Sequence, residues 1–186
     1  LRMGMYNKVQ NSPARESYIT FDILGGDLTQ STGNARDLIN SVLSSLNSIV
    51  ANSWNGYYNA LYQVNNVISI VEDLPESDLR NLIIGEAHYF RAYIYHSLVT
   101  RWGGVPIQRV NTMDKPFRDS EEAVWAFIEE ELETALAFLG TSSSCYYVSR
   151  DAALALKARV MLERGKKTEA AALAEGLIKD GKYKLD

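Results

Sequence analysis

Two histidines, one cysteine and two sets of charged residues are the groups in this chain whose types could carry chemistry, and their spacing limits what they can do. His88 and His96 stand eight residues apart, which on a helix separates them by about 80° around the axis. That is too far for an i, i+4 metal pair, and no His-Glu-x-x-His occurs. The single Cys145 cannot form an internal disulfide. It lies in the polar run Ser142-Ser143-Ser144-Cys145-Tyr146 with no neighbouring His to activate it, and reads as an unreactive thiol. Glu86 and Arg91 sit in apolar surroundings and read as a buried, satisfied pair or a helix-to-loop tie rather than as an acid or an anion clamp. Glu129-Glu130-Glu131 with Glu133 lacks the loop spacing of calcium ligands and is expected to be a solvated helix face. Gly25-Gly26 and Gly103-Gly104 do not form a phosphate-cradling pattern. The expectation is no catalytic residue, no metal and no cofactor.

Aromatic and amide side chains are more informative. Eleven Tyr, three Trp and twelve Asn occur in 186 residues. Sugars lay their C–H faces on aromatic rings, while Asn, Asp and Arg hydrogen-bond their hydroxyls. The segment Asn52-Ser53-Trp54-Asn55-Gly56-Tyr57-Tyr58 concentrates both kinds, although its spacing also fits helix packing.

The elements that would position these residues are helices. Residues 1–52 are the least regular part, with one helical face in Asn34–Val50 built from Leu38, Val42, Leu43, Leu46 and Val50. Ser53 is predicted to cap a helix whose inner stripe is Trp54, Tyr57, Leu61, Val64, Ile68 and Val71, in steps of three and four. Ser77 opens a second helix that runs to about Trp102 and is apolar on several sides, so it is expected between neighbours. A third starts at Ser120, with Glu121 and Glu122 complementing its dipole. A fourth is capped by Ser149 and ends at Gly165, and a fifth runs from about Thr168 to Asp180. The pairing expected is 53–72 with 78–102 and 120–139 with 149–164, leaving 168–180 to pack on the fourth helix or elsewhere. Small residues at Ala155, Ala158, Gly165, Ala170 and Ala174 fit a tight helical crossing of the tetratricopeptide kind. The fold class predicted is all-α, with tetratricopeptide-like stacked hairpins and few or no strands.

Composition narrows the function classes. Apolar residues make up 46% and charged residues 23%, with a net charge of −4, as in a globular domain able to bury a core without disulfides. No window approaches 18 consecutive apolar residues. A net-acidic chain without a basic run is a poor match to a phosphate backbone, which argues against nucleic acid as a partner.

Several segments together resemble the SusD/RagB family. They are Trp54-x-x-x-Tyr58-x-x-Leu61-x-x-Val64-Asn65, Gly85-Glu86-Ala87-His88-Tyr89-Phe90-Arg91-Ala92-Tyr93, Leu98-Val99-x-x-Trp102-Gly103-Gly104-Val105-Pro106, Ala152-Ala153-x-Ala155-Leu156-x-Ala158-Arg159-Val160-x-Leu162 and Gly181-x-Tyr183-x-Leu185. His88 stands where the family usually has Arg, and Trp102 where it usually has Tyr. The resemblance implies a single helical domain over 1–186, the N-terminal part of a longer protein, with an irregular segment at 1–52 and hairpins over 53–186. It also implies a non-enzymatic lipoprotein on the outer face of a Bacteroidetes-type outer membrane, anchored through a cysteine upstream of Leu1. Such a protein captures glycan, or in some members peptide, and delivers it to a TonB-dependent, SusC-like transporter. The family motifs are packing motifs. By analogy of region alone, ligand contacts are expected at Asp27, Asn34, Arg36, Asn52, Trp54 and Asn55. The alternatives are a generic tetratricopeptide-like adaptor and a hydrolase, and no pair of acids is nominated for the latter.

Overall fold

The computed structural model describes residues 1–13, 25–26, 35–40, 44, 47–140, 144 and 146–183. Among them the regular elements are all α-helices: α1 (Arg2–Asn11), α2 (Ala35–Ile39), α3 (Ser48–Glu72), α4 (Asp78–Trp102), α5 (Glu121–Phe138), α6 (Arg150–Glu163) and α7 (Lys167–Lys179). They form two compact units, Leu1–Gln63 and Val64–Asp186, with the boundary inside α3.

In the first unit α1 buries Met5 and Val9, and Ala35 and Leu38 of α2 pack with Ile49 and Val50 at the start of α3. Those last two residues explain a departure from the sequence reading. They carry the apolar stripe of α3 a turn further upstream, so the helix opens at Ser48 and not at Ser53. Asn47 performs the capping, its side-chain oxygen accepting the Ile49 amide at 2.9 Å. Ser53 lies buried within the helix, its hydroxyl without a hydrogen-bond partner among the described residues. Of the expected Asn34–Val50 face, Val42, Leu43 and Leu46 lie outside the described residues. Chain leaving α1 crosses α3 at Gly56. A Cβ there would stand 2.5 Å from the Ser12 carbonyl oxygen and 2.9 Å from Pro13 Cα, so only glycine permits the approach.

The second unit holds the larger core. Val64, Ile68 and Val71 of α3 are buried as the stripe predicts. Ser77 caps α4 by accepting the Arg80 amide at 3.2 Å, and the Arg80 guanidinium in turn donates to the Val71 and Glu72 carbonyls that end α3. The turn is thus closed from both sides. Ser120 and Ser149 cap α5 and α6 as predicted, each accepting the amide three residues on at 3.2 Å. The most extensive helix packing is α4 on α5, followed by α7 on α6. Loop length did not select the former pair, which is joined through the long connection 103–120. Of the small residues expected at the α6–α7 crossing, Ala170 is buried, Ala158 and Ala174 are half-buried and Ala155 is exposed. Leu162 is 58% exposed, because the buried stripe of α6 is Ala153, Leu156 and Val160, joined by Met161.

Candidate functional site

Two sets of residues singled out by the sequence are resolved by the fold into different roles. The first lies on α3 within the first unit. From Ser48 to Val71 this helix contains no Asp, Glu, Lys, Arg or His. Asn52, Asn55, Asn59 and Tyr62 recur in steps of three and four and are all exposed, as residues on one helix face should be. Beside them Trp54 and Tyr58, one turn apart and both half-buried, bring their rings to a centroid distance of 4.9 Å at an interplanar angle of 39°. The result is a helix face with no charge of its own, on which tilted rings stand beside amide groups. It can stack on apolar C–H faces and exchange hydrogen bonds with hydroxyls, and it offers no group able to act as acid, base or nucleophile.

Asn52, Trp54 and Asn55 therefore fall together on or beside one helical face. Arg36 is exposed on α2, off the α3 face, and Asp27 and Asn34 lie outside the described residues. The sequence reading did not select Tyr58, Asn59 and Tyr62 as contacts, although their helical offsets from Asn52, Trp54 and Asn55 would have placed them there.

The second set is the Gly85–Tyr93 motif on α4, and it is structural. Arg91 does not pair with Glu86. It forms a two-pronged ion pair with Glu131 of α5, Nε at 2.7 Å and Nη2 at 2.8 Å. His88 Nδ1–H donates to the same carboxylate at 2.8 Å. Glu131 is 2% exposed, which corrects the reading of Glu129–Glu133 as a wholly solvated face. Helical geometry turns Glu131 inward beside Leu132 and Ile128, while Glu130 faces out to Arg109. Burial pushes the Glu131 carboxyl up, but hydrogen bonds from His88 and Arg91 outweigh it and hold the group below its ordinary value. Glu86 is fully buried on the same helix.

Arg91 also ties α4 to the following connection, donating through Nη1 to the Arg109 carbonyl at 2.9 Å and to Asn65 Oδ1 at 3.2 Å. Asn65 in turn donates to the Gln108 carbonyl at 2.9 Å. Tyr95, whose phenol burial pushes up, donates to the Pro106 carbonyl and accepts the Gln108 amide at 2.6 Å. Its ring meets Phe127 edge-on at 5.0 Å. Gly104 completes the fit, since a Cβ there would lie 2.2 Å from the Asp119 carbonyl oxygen.

A cavity of about 390 Å³ is lined by Glu121, Glu122, Trp125, Glu163 and Arg164. Its carboxylates are engaged: Glu121 by Trp125 Nε1, Glu122 by Arg164, and Glu163 by Arg159 and by His96 Nε2–H at 2.7 Å. Burial pulls the His96 imidazole down against the opposing pull of Glu163, so its neutral form is the donor. Among the described residues no group of three His, Cys, Asp or Glu is placed to hold a metal ion, and no helix is long and apolar enough to cross a membrane. Cys145 lies outside them.

A family model described as "Starch-binding associating with outer membrane" matches residues 1–162. The chain belongs to this SusD-like family. A curated relative, SusD-like protein P38 of Formosa agariphila, is 29% identical over 158 residues, covering 82% of this chain and 31% of its own length. The chain therefore spans about a third of that SusD-like relative. Among solved structures, a SusD superfamily protein of Bacteroides thetaiotaomicron superposes with a TM-score of 0.84 at 22% identity, covering 98% of this chain and 46% of the other. A laminarin-binding SusD-like protein gives 0.80 at 21%, covering 92% and 41%. A structure with xylogluco-oligosaccharide gives 0.82 at 23%, covering 98% and 41%. These likenesses establish the SusD-like, tetratricopeptide-like helical fold. They fit the packing role of the Gly85–Tyr93 motif, which ties α4 to α5 within that fold.

Proposed function

We propose that this chain is the N-terminal helical part, over 1–186, of a non-catalytic SusD-like protein that captures glycan at the outer-membrane surface. The observation that carries the reading is the charge-free α3 face, where Trp54 and Tyr58 stand beside Asn52, Asn55 and Asn59. Neutral sugars are matched by rings and amides. Catalysis of glycosidic cleavage needs a pair of carboxylates about 5–10 Å apart, and this face holds none. The two similar structures whose names carry laminarin and xylogluco-oligosaccharide support the same ligand class. Lipid anchorage through an upstream cysteine and delivery to a TonB-dependent, SusC-like transporter complete the proposal, supported by the family's description as associating with the outer membrane. Asp27, Asn34 and Arg36 remain proposed contacts alongside the α3 residues.

Calorimetry with laminarin- and xyloglucan-type oligosaccharides, run on this chain and on its Trp54→Ala and Tyr58→Ala variants, tests the reading. Each stacking contact is worth about 0.5–1.5 kcal/mol, so each variant should bind roughly two- to thirteen-fold more weakly. Unchanged affinity in a folded Trp54→Ala protein would remove that residue from the site. Binding of peptides in place of every glycan would replace the ligand class.

A further inference from the structure

The α3 face is the outside of a single cylinder and is convex, whereas sites that hold small ligands are concave. Concavity arises where a second helix runs alongside, and within the first unit α1 does so. At its start, a Cβ on Gly4 would stand 4.0 Å from Gln63 Nε2. At its end, the Ser12 carbonyl oxygen lies 2.5 Å from where a Gly56 Cβ would be. The two contacts come in reversed order, so the helices run antiparallel. Gly56 and Gln63 belong to one stripe of α3, Asn52–Gly56–Asn59–Gln63 in steps of four, three and four, and Asn52 and Asn59 therefore border α1 as well. On α1 the stripe of Gly4 continues through Lys8 and Asn11, and all three are exposed. A rise of about 1.5 Å per residue brings Lys8 level with Asn59 and Asn11 level with Gly56.

The two glycines differ in what requires them. Gly56 is demanded by the chain that crosses it. Gly4 has nothing nearer than the Gln63 amide, and glycine within a helix is less favourable than alanine. What its missing side chain provides is an open floor between the helices. The walls are polar and uncommitted. Among the described residues Lys8 forms no ion pair, and the side chains of Asn52 and Asn59 make no hydrogen bond. Asn11 uses only its Nδ2, which donates to the Asn7 carbonyl at 2.9 Å. That bond holds the amide in place and leaves Oδ1 to accept. Trp54 and Tyr58 each stand about 160° around the axis from Gly56, with Asn59, Asn55 and Tyr62 in between. The exposed face thus runs from a pair of rings on one edge, over amides, to the valley on the other. We infer that the valley between α1 and α3 is a second subsite of the glycan site, in which Lys8 and Asn11 bind the hydroxyls of sugars further along the chain from the one stacked on Trp54 and Tyr58. An α-helix is about 10–12 Å across, so the ligand that engages both edges is an oligosaccharide.

The inference rests on the glycan reading, and calorimetry of the full-length protein separates the two. Laminarin- and xyloglucan-type oligosaccharides are titrated into wild type, Trp54→Ala, Lys8→Ala, Asn11→Ala and Gly4→Leu, the last of which places a side chain on the open floor. Each α1 variant should bind about two- to thirteen-fold more weakly, as for loss of one hydrogen bond. Lys8→Ala combined with Trp54→Ala should lose the product of their single effects, as separate contacts do. Melting temperatures should hold and, for Gly4→Leu, rise, because leucine favours the helix. If Trp54→Ala weakens binding while the α1 variants do not, the second subsite is refuted and the glycan reading stands. Affinity that falls only in step with the melting temperature would assign these residues to packing and overturn the inference. No binding of either oligosaccharide by wild type would overturn both.

Discussion

Replacing Glu131 by Gln changes one atom type at the junction of α4 and α5. The carboxylate is 2% exposed and accepts from Arg91 Nε, Arg91 Nη2 and His88 Nδ1. Gln keeps the volume but leaves a guanidinium that is 5% exposed without its counter-charge. Breaking a buried pair from one side costs about 3–5 kcal/mol, and in a chain of this size each kcal/mol moves the melting temperature by about 2–4 °C. A loss of about 6–20 °C is expected. Guanidinium chloride unfolding followed by circular dichroism gives the same quantity from the shift in midpoint at constant slope. The neighbouring Glu130→Gln is the internal control. Glu130 forms an equally regular pair with Arg109 at 2.7 Å, but both side chains are 54% exposed, so its loss should cost less than about 1 kcal/mol. If the two variants differ by less than about 1 kcal/mol, burial does not set the strength of these pairs and the account given for the motif is wrong.

Other consequences can be measured alongside. Stability owed to Glu131 is fully present above the unfolded carboxyl's ordinary value of 4.5 and is lost as pH falls through the lowered folded value, so the gap between wild type and Glu131→Gln should narrow in acid. His96 titrates below its ordinary 6.5 when folded. The unfolded chain therefore takes up its proton first, and stability should decline as pH drops below about 6.5, with a flatter profile in His96→Gln. Gly104→Ala forces a Cβ against the Asp119 carbonyl and should cost about 1–3 kcal/mol, whereas Gly140→Ala, with nothing within 4 Å, should be close to neutral; urea midpoints compare them. Ser149→Ala removes the cap of α6 and should cost about 1 kcal/mol by the same assay.

The helical scaffold was legible because its signals are local. Ser77, Ser120 and Ser149 each cap the helix assigned to them, and Tyr57, Leu61, Val64, Ile68 and Val71 follow the buried period of α3. What was not legible depends on partners distant in sequence. Nothing near Glu131 distinguishes it from Glu130. Only the packing of α4 against α5, across 40 residues of chain, brings Arg91 to it. Ser53 was mistaken for a cap because the competing contact of Ile49 and Val50 with Leu38 is tertiary. On the candidate site, the composition of Asn52–Tyr58 drew attention to one stretch of α3, while the exposed face through Tyr62 required knowing that the helix runs unbroken.

The Arg91–Glu131 fork also bears on how α4 and α5 find their alignment. The buried residues of the two helices include Ala87, Ala92, Leu98, Ile128, Leu132 and Ala135, small and aliphatic surfaces that tolerate sliding. Displacement by one turn, about 5.4 Å, would re-form much of that apolar contact. It would also strand a carboxylate and a guanidinium in the interior, an arrangement far costlier than the aligned one. The fork thus acts as a registration pin for two helices separated by a long connection. An Arg91→Met, Glu131→Leu chain is expected to recover most of the stability lost in Glu131→Gln yet show several Trp125 indole resonances in place of one, because slipped alignments would no longer be excluded.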